Sequence, residues 1–154
     1  MNENQKNDLF YICSLIELVA RKTHSKVGDI VKALTDADIE HEIRSANVNH
    51  CLPLEQMADE WIEGYHIEKR TFDNLSNCQY NVPSATDIGK VYQRLIVDTI
   101  GDVSDNPSTE QIVKTVREVF TSFISEAISN FNSNVYYSSP EYLKESYKAG
   151  YLLD

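Results

Sequence analysis

The segment that decides the fold is Ser108-Thr109-Glu110-Gln111 followed by Ile112, Val113, Val116, Val119, Phe120, Phe123, Ile124, Ala127, Ile128 and Phe131. Ser108 with Gln111 is a capping box, in which a serine side chain accepts from a backbone N–H one turn on. The apolar residues then recur at three- and four-residue steps for more than five turns, which predicts one long amphipathic helix ending at Asn132-Ser133-Asn134. A strand would need alternation with period two, and none is present in this window.

The same spacing recurs on both sides. Toward the N-terminus, Leu9, Ile12, Cys13, Ile16, Val19 and Ala20 predict a helix from the chain start to about Lys22. Thr23-His24-Ser25 breaks it. Val27, Ile30, Val31 and Leu34 form a short second helix, and Asp36 opens a third with Ile39, Ile43 and Ala46 facing inward. Leu52-Pro53 starts a fourth with Leu54, Met57, Ala58, Trp61 and Ile62, closed near Gly64. Ser84-Ala85-Thr86-Asp87 opens a fifth carrying Ile88, Val91, Tyr92, Leu95, Ile96 and Ile100. Ser139-Pro140 begins a last helix through Lys148, stopped by Gly150.

Between Tyr65 and Pro83 the helical period fails. Tyr65-His66-Ile67 and Cys78-Gln79-Tyr80-Asn81-Val82 alternate, so one small β-hairpin is expected near residues 65–82. The fold class that follows is all-α, an irregular or orthogonal bundle of six or seven helices. At 154 residues a single helical domain over 1–154 buries about 70% of the surface its unfolded chain exposes. A division into subdomains 1–64 and 84–154, joined by the irregular segment 65–83, is the alternative organisation.

Composition narrows the function classes. Hydrophobic residues are 42% and charged residues 25%, ordinary for a globular chain, and the net charge is -10. No run of about 18 apolar residues occurs, so no spanning helix is expected, and the polar start Met1–Asp8 does not resemble a secretory signal. A cytoplasmic location and three reduced thiols, Cys13, Cys51 and Cys78, are the corresponding expectations. An acidic chain without clustered Lys and Arg is not expected to bind nucleic acid directly. The acids concentrate in one region: residues 29–68 carry ten of them against Lys32 and Arg44.

Two features stand out as partner-binding candidates. Glu55, Asp59 and Glu63 recur every four residues on the fourth helix and so share one face, where like charges cost a few tenths of a kcal/mol per pair. A stripe that tolerates such repulsion fits a basic partner, although an outer face bathed in water is the simpler and favoured account. The second feature is Tyr136, Tyr137, Tyr142, Tyr147 and Tyr151, five of the nine tyrosines within the last nineteen residues. Tyrosine joins apolar area to a hydroxyl and is enriched at interfaces. Docking of the tail onto the bundle is the competing use.

Catalytic signatures are missing. His24, His41, His50 and His66 form no His-x-x-x-His pair, the cysteines form no Cys-x-x-Cys pair, and five isolated glycines make no phosphate-binding loop. No catalytic, cofactor-binding or metal-ligating residue is therefore assigned, and no cofactor is expected. Cys51, beside His50 near a helix start, is the one candidate thiolate, and Leu52 and Pro53 beside it point to a structural duty instead.

The stretch from Phe10-Tyr11-Ile12-Cys13 to Tyr65-His66-Ile67 resembles a family of small, uncharacterised, all-helical bacterial proteins often encoded beside toxin-like genes, some of them similar to ADP-ribosyltransferases. The likeness rests on the Phe-x-x-Cys helix start, the short helix after it and His50 near a break, and covers fewer than half the residues. It transfers no catalytic residue. It implies a binding role in a defence or toxin–antitoxin setting.

The leading reading is a non-enzymatic protein-interaction module of bacterial, phage or mobile-element origin, antitoxin-like or inhibitor-like. It would bind a protein partner, or a second copy of itself, through the acidic face, the tyrosine-rich segment or both. A DNA mimic that blocks a nucleic-acid-binding enzyme is the first alternative. A small metal-dependent hydrolase using His50 with Glu60 or Asp59 is the second.

Overall fold

The longest helix, α1 (Glu3–Thr23), runs through the centre of the molecule because apolar residues occupy more than one side of it. Leu9, Ile12, Cys13, Leu15, Ile16, Val19 and Ala20 are all buried. Asn2 caps its start, accepting from the Gln5 backbone, and the Gln5 side chain returns a bond to Asn2. His24 ends it in the left-handed region at φ 51°.

Around α1 the computed structural model, which describes all 154 residues, arranges α2 (Val27–Ala33), α3 (Asp36–Asn49), α4 (Leu54–Gly64), α5 (Ala85–Gly101), α6 (Thr109–Phe120), α7 (Phe123–Ser129) and α8 (Pro140–Ala149). A 3-10 turn occupies Val135–Tyr137. There is no strand, so the class is all-helical. Buried residues from both ends of the chain join one apolar core that runs from Leu9 to Leu143.

The closest approach is between α1 and α5. A Cβ on Gly89 would stand 2.8 Å from the Ser14 Cα and backbone N, so the backbones meet where neither helix can carry a larger residue. Tyr92, one turn on, is fully buried and stacks on Phe120 of α6 with ring centroids 4.1 Å apart.

The expected single helix over Ser108–Phe131 is two helices, which raises the count from seven to eight. Thr121 Oγ1 donates to the Arg117 carbonyl and Ser122 Oγ to the Val119 carbonyl, both at 2.7 Å, and Ser122 is extended. Hydroxyls that bond back to the preceding turn compete with the helical ladder. Gly28 of α2 closes in at this point, where a Cβ would lie 3.1 Å from the Phe120 carbonyl oxygen. Phe120, Ile124, Ile128 and Phe131 stay buried across the bend, which is why the apolar spacing runs through it without interruption.

The hairpin expected near residues 65–82 does not form. Its backbone donors go elsewhere: Arg70 N–H to the Thr23 carbonyl at 2.7 Å and Phe72 N–H to the His24 carbonyl at 2.9 Å, both at the open end of α1. Asp73 Oδ1 accepts from the Leu75 and Ser76 N–H groups at 3.0 Å, and Asn74 Nδ2 donates to the Ser129 carbonyl at 2.7 Å. The segment is an ordered strap, tied to helix ends by its backbone and side chains and tightened locally by the turn at Asp73.

Candidate interaction surface

On α4, Met57, Ala58 and Trp61 turn inward against the bundle while Glu55, Asp59 and Glu63 face outward. The repulsion expected along that stripe is met inside the chain. Lys22, in the last turn of α1, reaches Glu55 Oε2 at 2.7 Å and Asp59 Oδ1 at 2.8 Å. Its hydrogen bonds to Asp59 and then Glu55 hold the ammonium above the usual lysine range. Glu63 remains exposed and joins neither contact.

Two other acids are not on the surface at all. Glu42 of α3 is only 8% exposed; Trp61 Nε1 donates to its Oε1 at 3.0 Å, and the Tyr65 hydroxyl donates to its Oε2. Burial, followed by the Glu42 bond, pushes the Tyr65 phenol well up. Glu17 of α1 is buried beside Arg21, whose Nε lies 2.7 Å away. Burial raises the Glu17 carboxyl, and the Arg21 charge opposes that rise. Both were visible as positions: Ile39, Glu42, Ile43 and Ala46 form a single inward stripe, as do Cys13, Ile16, Glu17 and Ala20. Glu42 is thus one of the ten acids of residues 29–68 that does not contribute to an acidic surface.

The Arg21 guanidinium has two further partners. Its Nη2 donates to the Pro83 carbonyl at 2.7 Å, and its carbon lies 5.4 Å from the centre of the Phe131 ring. It therefore anchors the end of the strap and the segment after α7 to the same point on α1. The two segments are also tied directly. Gln79 N–H donates to Asn132 Oδ1 at 2.7 Å, Asn132 Nδ2 donates to the Asn77 carbonyl at 3.3 Å, and Cys78 Sγ lies 3.7 Å from the Phe131 carbonyl.

Both tied segments carry exposed side chains. Tyr136 packs edge-on against buried Phe131 at 5.8 Å, and Tyr137 packs edge-on against Tyr136 at 6.3 Å. Tyr137 is 84% exposed, Tyr80 65% and Val82 40%. The remaining tyrosines divide. The Tyr142 hydroxyl donates to the Leu153 carbonyl at 2.7 Å, while Leu153 N–H donates to Ser146 Oγ, so the tail folds back on α8. Tyr147 is half-buried, and Tyr151 is exposed. Thus Tyr136, Tyr142 and Tyr147 serve the packing, and Tyr137 and Tyr151 face outward. Tyr80 was not singled out from the sequence, because it lies outside the tyrosine-rich tail and only the fold brings it beside residues 131–137.

The residues weighed for chemistry are dispersed. Asp59 is engaged by Lys22, and His50 Nδ1 lies 3.1 Å from the Ala46 carbonyl. No three His, Cys, Asp or Glu side chains are grouped so as to hold a metal ion. Cys13 is fully buried and its thiol is pushed up by burial, Cys51 is exposed, and all three cysteines are unpaired. No helix is long and apolar enough to cross a membrane.

The fold defines a class, the all-helical bundle, and the surface adds a strapped aromatic end to it. A scan against protein-family models and searches of curated proteins and of solved structures found no match.

Proposed function

We propose that the protein is a non-catalytic protein-interaction module, antitoxin-like or inhibitor-like, of bacterial, phage or mobile-element origin, acting in the cytosol. Its contact surface is the aromatic end formed by Tyr80, Val82 and Tyr137. The observation that carries this reading is that Tyr137 is 84% exposed while standing on a ring that packs into the core. A tyrosine displayed on an ordered mount has lost much of its freedom before any partner arrives, which lowers the entropic cost of association. Partner surfaces concentrate their binding energy in such anchors.

The acidic stripe of α4 contributes less to this reading. Two of its three members are bound to Lys22, which also weakens the DNA-mimic alternative. A basic partner would have to use Glu63 and its exposed neighbours Glu60 and Glu68.

The test combines capture of partners from the native host with sedimentation of the purified protein. The double variant Tyr80→Ser with Tyr137→Ser is expected to lose the captured partner, or its self-association, by tenfold or more with an unchanged melting temperature. Undiminished capture and unchanged sedimentation would remove the aromatic end from consideration. Glu63→Lys, which leaves that end intact, is expected to retain the same partner.

A further inference from the structure

A cavity of about 390 Å³ opens between the first half of α1 and the last turn of α3, away from the aromatic end. Its volume lies in the range of small-molecule sites. Asn4, Asn7, Asp8, Phe10 and Tyr11 of α1 face Ala46, Asn47 and His50 across it.

Its chemistry is one-sided. The Asp8 carboxyl is half-buried, and burial raises it; the only opposing influence is the charge of His50, with no hydrogen bond contributing. Asp8 also borders a neighbouring cavity containing Arg44, but that guanidinium is held by Glu40 at 2.8 Å. The hydrogen bonds of the corner are few: the Tyr11 hydroxyl donates to the Asn49 carbonyl at 3.2 Å, and His50 Nδ1 meets the Ala46 carbonyl at 3.1 Å. A carbonyl only accepts, so His50 Nδ1 is the donor in that contact. The carboxamides of Asn4, Asn7 and Asn47 take part in neither bond. Burial raises the Tyr11 phenol, and the negative charges of Glu42 and Glu60 add to that rise.

We infer that this cavity binds a primary alkylammonium, with Asp8 as its counter-ion, the carboxamide oxygens of Asn4, Asn7 and Asn47 as further acceptors, and the Phe10 and Tyr11 rings as walls for the alkyl chain. An ammonium carries three donors and no acceptor, which matches a set of acceptors around one carboxylate. Aromatic faces attract cations and cover methylene groups. An anion would meet an unpaired carboxylate in a chain of net charge -10 and be repelled.

The ammonium can come from a free diamine or from a lysine side chain, and titration followed by backbone amide NMR separates the two. The probes are cadaverine, Nα-acetyl-lysine methylamide, neutral 1-pentanol and anionic hexanoate, at constant ionic strength. Saturable shifts confined to α1 and α3 are expected for the two amines, with pentanol and hexanoate at least tenfold weaker. Tighter cadaverine binding assigns the site to a free amine, and tighter binding of the lysine derivative assigns it to a partner's side chain. Asp8→Asn is expected to weaken both amines by tenfold or more, and Tyr11→Leu to weaken them several-fold. Equal binding of pentanol, an unaltered affinity in Asp8→Asn, or shifts scattered over the acidic surface would each overturn the assignment. None of these outcomes depends on the aromatic end.

Discussion

The contact between α1 and α5 and the strapped end at residues 65–83 and 130–137 hold the chain together by different means. At the first, two regular helices meet closely, with Gly89 against Ser14, and Tyr92 of the same α5 stacks on Phe120 of the adjoining α6. At the second, irregular backbone is fixed by side chains that bond to carbonyls and N–H groups far along the chain, as Arg21, Asn74 and Asn132 do. The first is stabilised by apolar area and shape, the second by satisfied polar groups with little apolar cover. Regions of the second kind open more readily, and their surfaces are freer to change.

Four measurements would break or sharpen that contrast. Phe120→Ala removes a fully buried ring from the helical contact and is expected to cost about 3–5 kcal/mol in urea unfolding. Gly89→Ala forces α1 and α5 apart; despite the better helix propensity of alanine, a loss of about 2–3 kcal/mol is expected. A neutral result for Gly89→Ala would mean that the two helices are not held in contact. Asn132→Ala removes both bonds between the segments and is expected to cost about 1 kcal/mol. Hydrogen exchange should then quicken at Gln79 and leave α1 untouched; general quickening would show that the end is part of the core's cooperative unit.

The smallest effect concerns pH. Bonds from Ser76 and then Leu75 lower the exposed Asp73 carboxyl to about 2, below its unfolded range near 3.9. A depressed carboxylate favours the folded state above the unfolded pKa, and that contribution fades as pH falls through roughly 4 to 2. Carboxyl NMR should show a midpoint for Asp73 near 2, with the strap amides around Ser76 loosening in the same interval. A midpoint close to 4 would mean that the turn is open in solution.

The helical half of this contrast was legible in sequence and the strapped half was not. Apolar period located the α-helical segments but ran α6 and α7 together, and local caps marked several boundaries: the reciprocal Ser84 and Asp87 bonds, and Gly150 at φ 86°. The break at Thr121-Ser122 escaped because a bend that keeps Phe120 and Ile124 both buried leaves the apolar spacing intact. The strap escaped because its bonds join residues up to 62 positions apart, as from Arg21 to Pro83. Weak alternation at Cys78–Val82 read as strand for want of that information. Among candidate residues, the outward position of Tyr137 is consistent with too many rings for one stripe, whereas Tyr80 required the fold. The Lys22 clamp on Glu55 and Asp59 lies between helices 33 and 37 residues apart in sequence, beyond any local pattern.

One consequence follows from the joint between α3 and α4. Trp61 is the only tryptophan in the chain, and its indole is almost fully enclosed while donating to Glu42. Tryptophan emission, excited beyond the tyrosine band, is therefore a single-site signal. It reports whether those two helices are closed on each other, and a red shift on denaturation tracks that one event without any label.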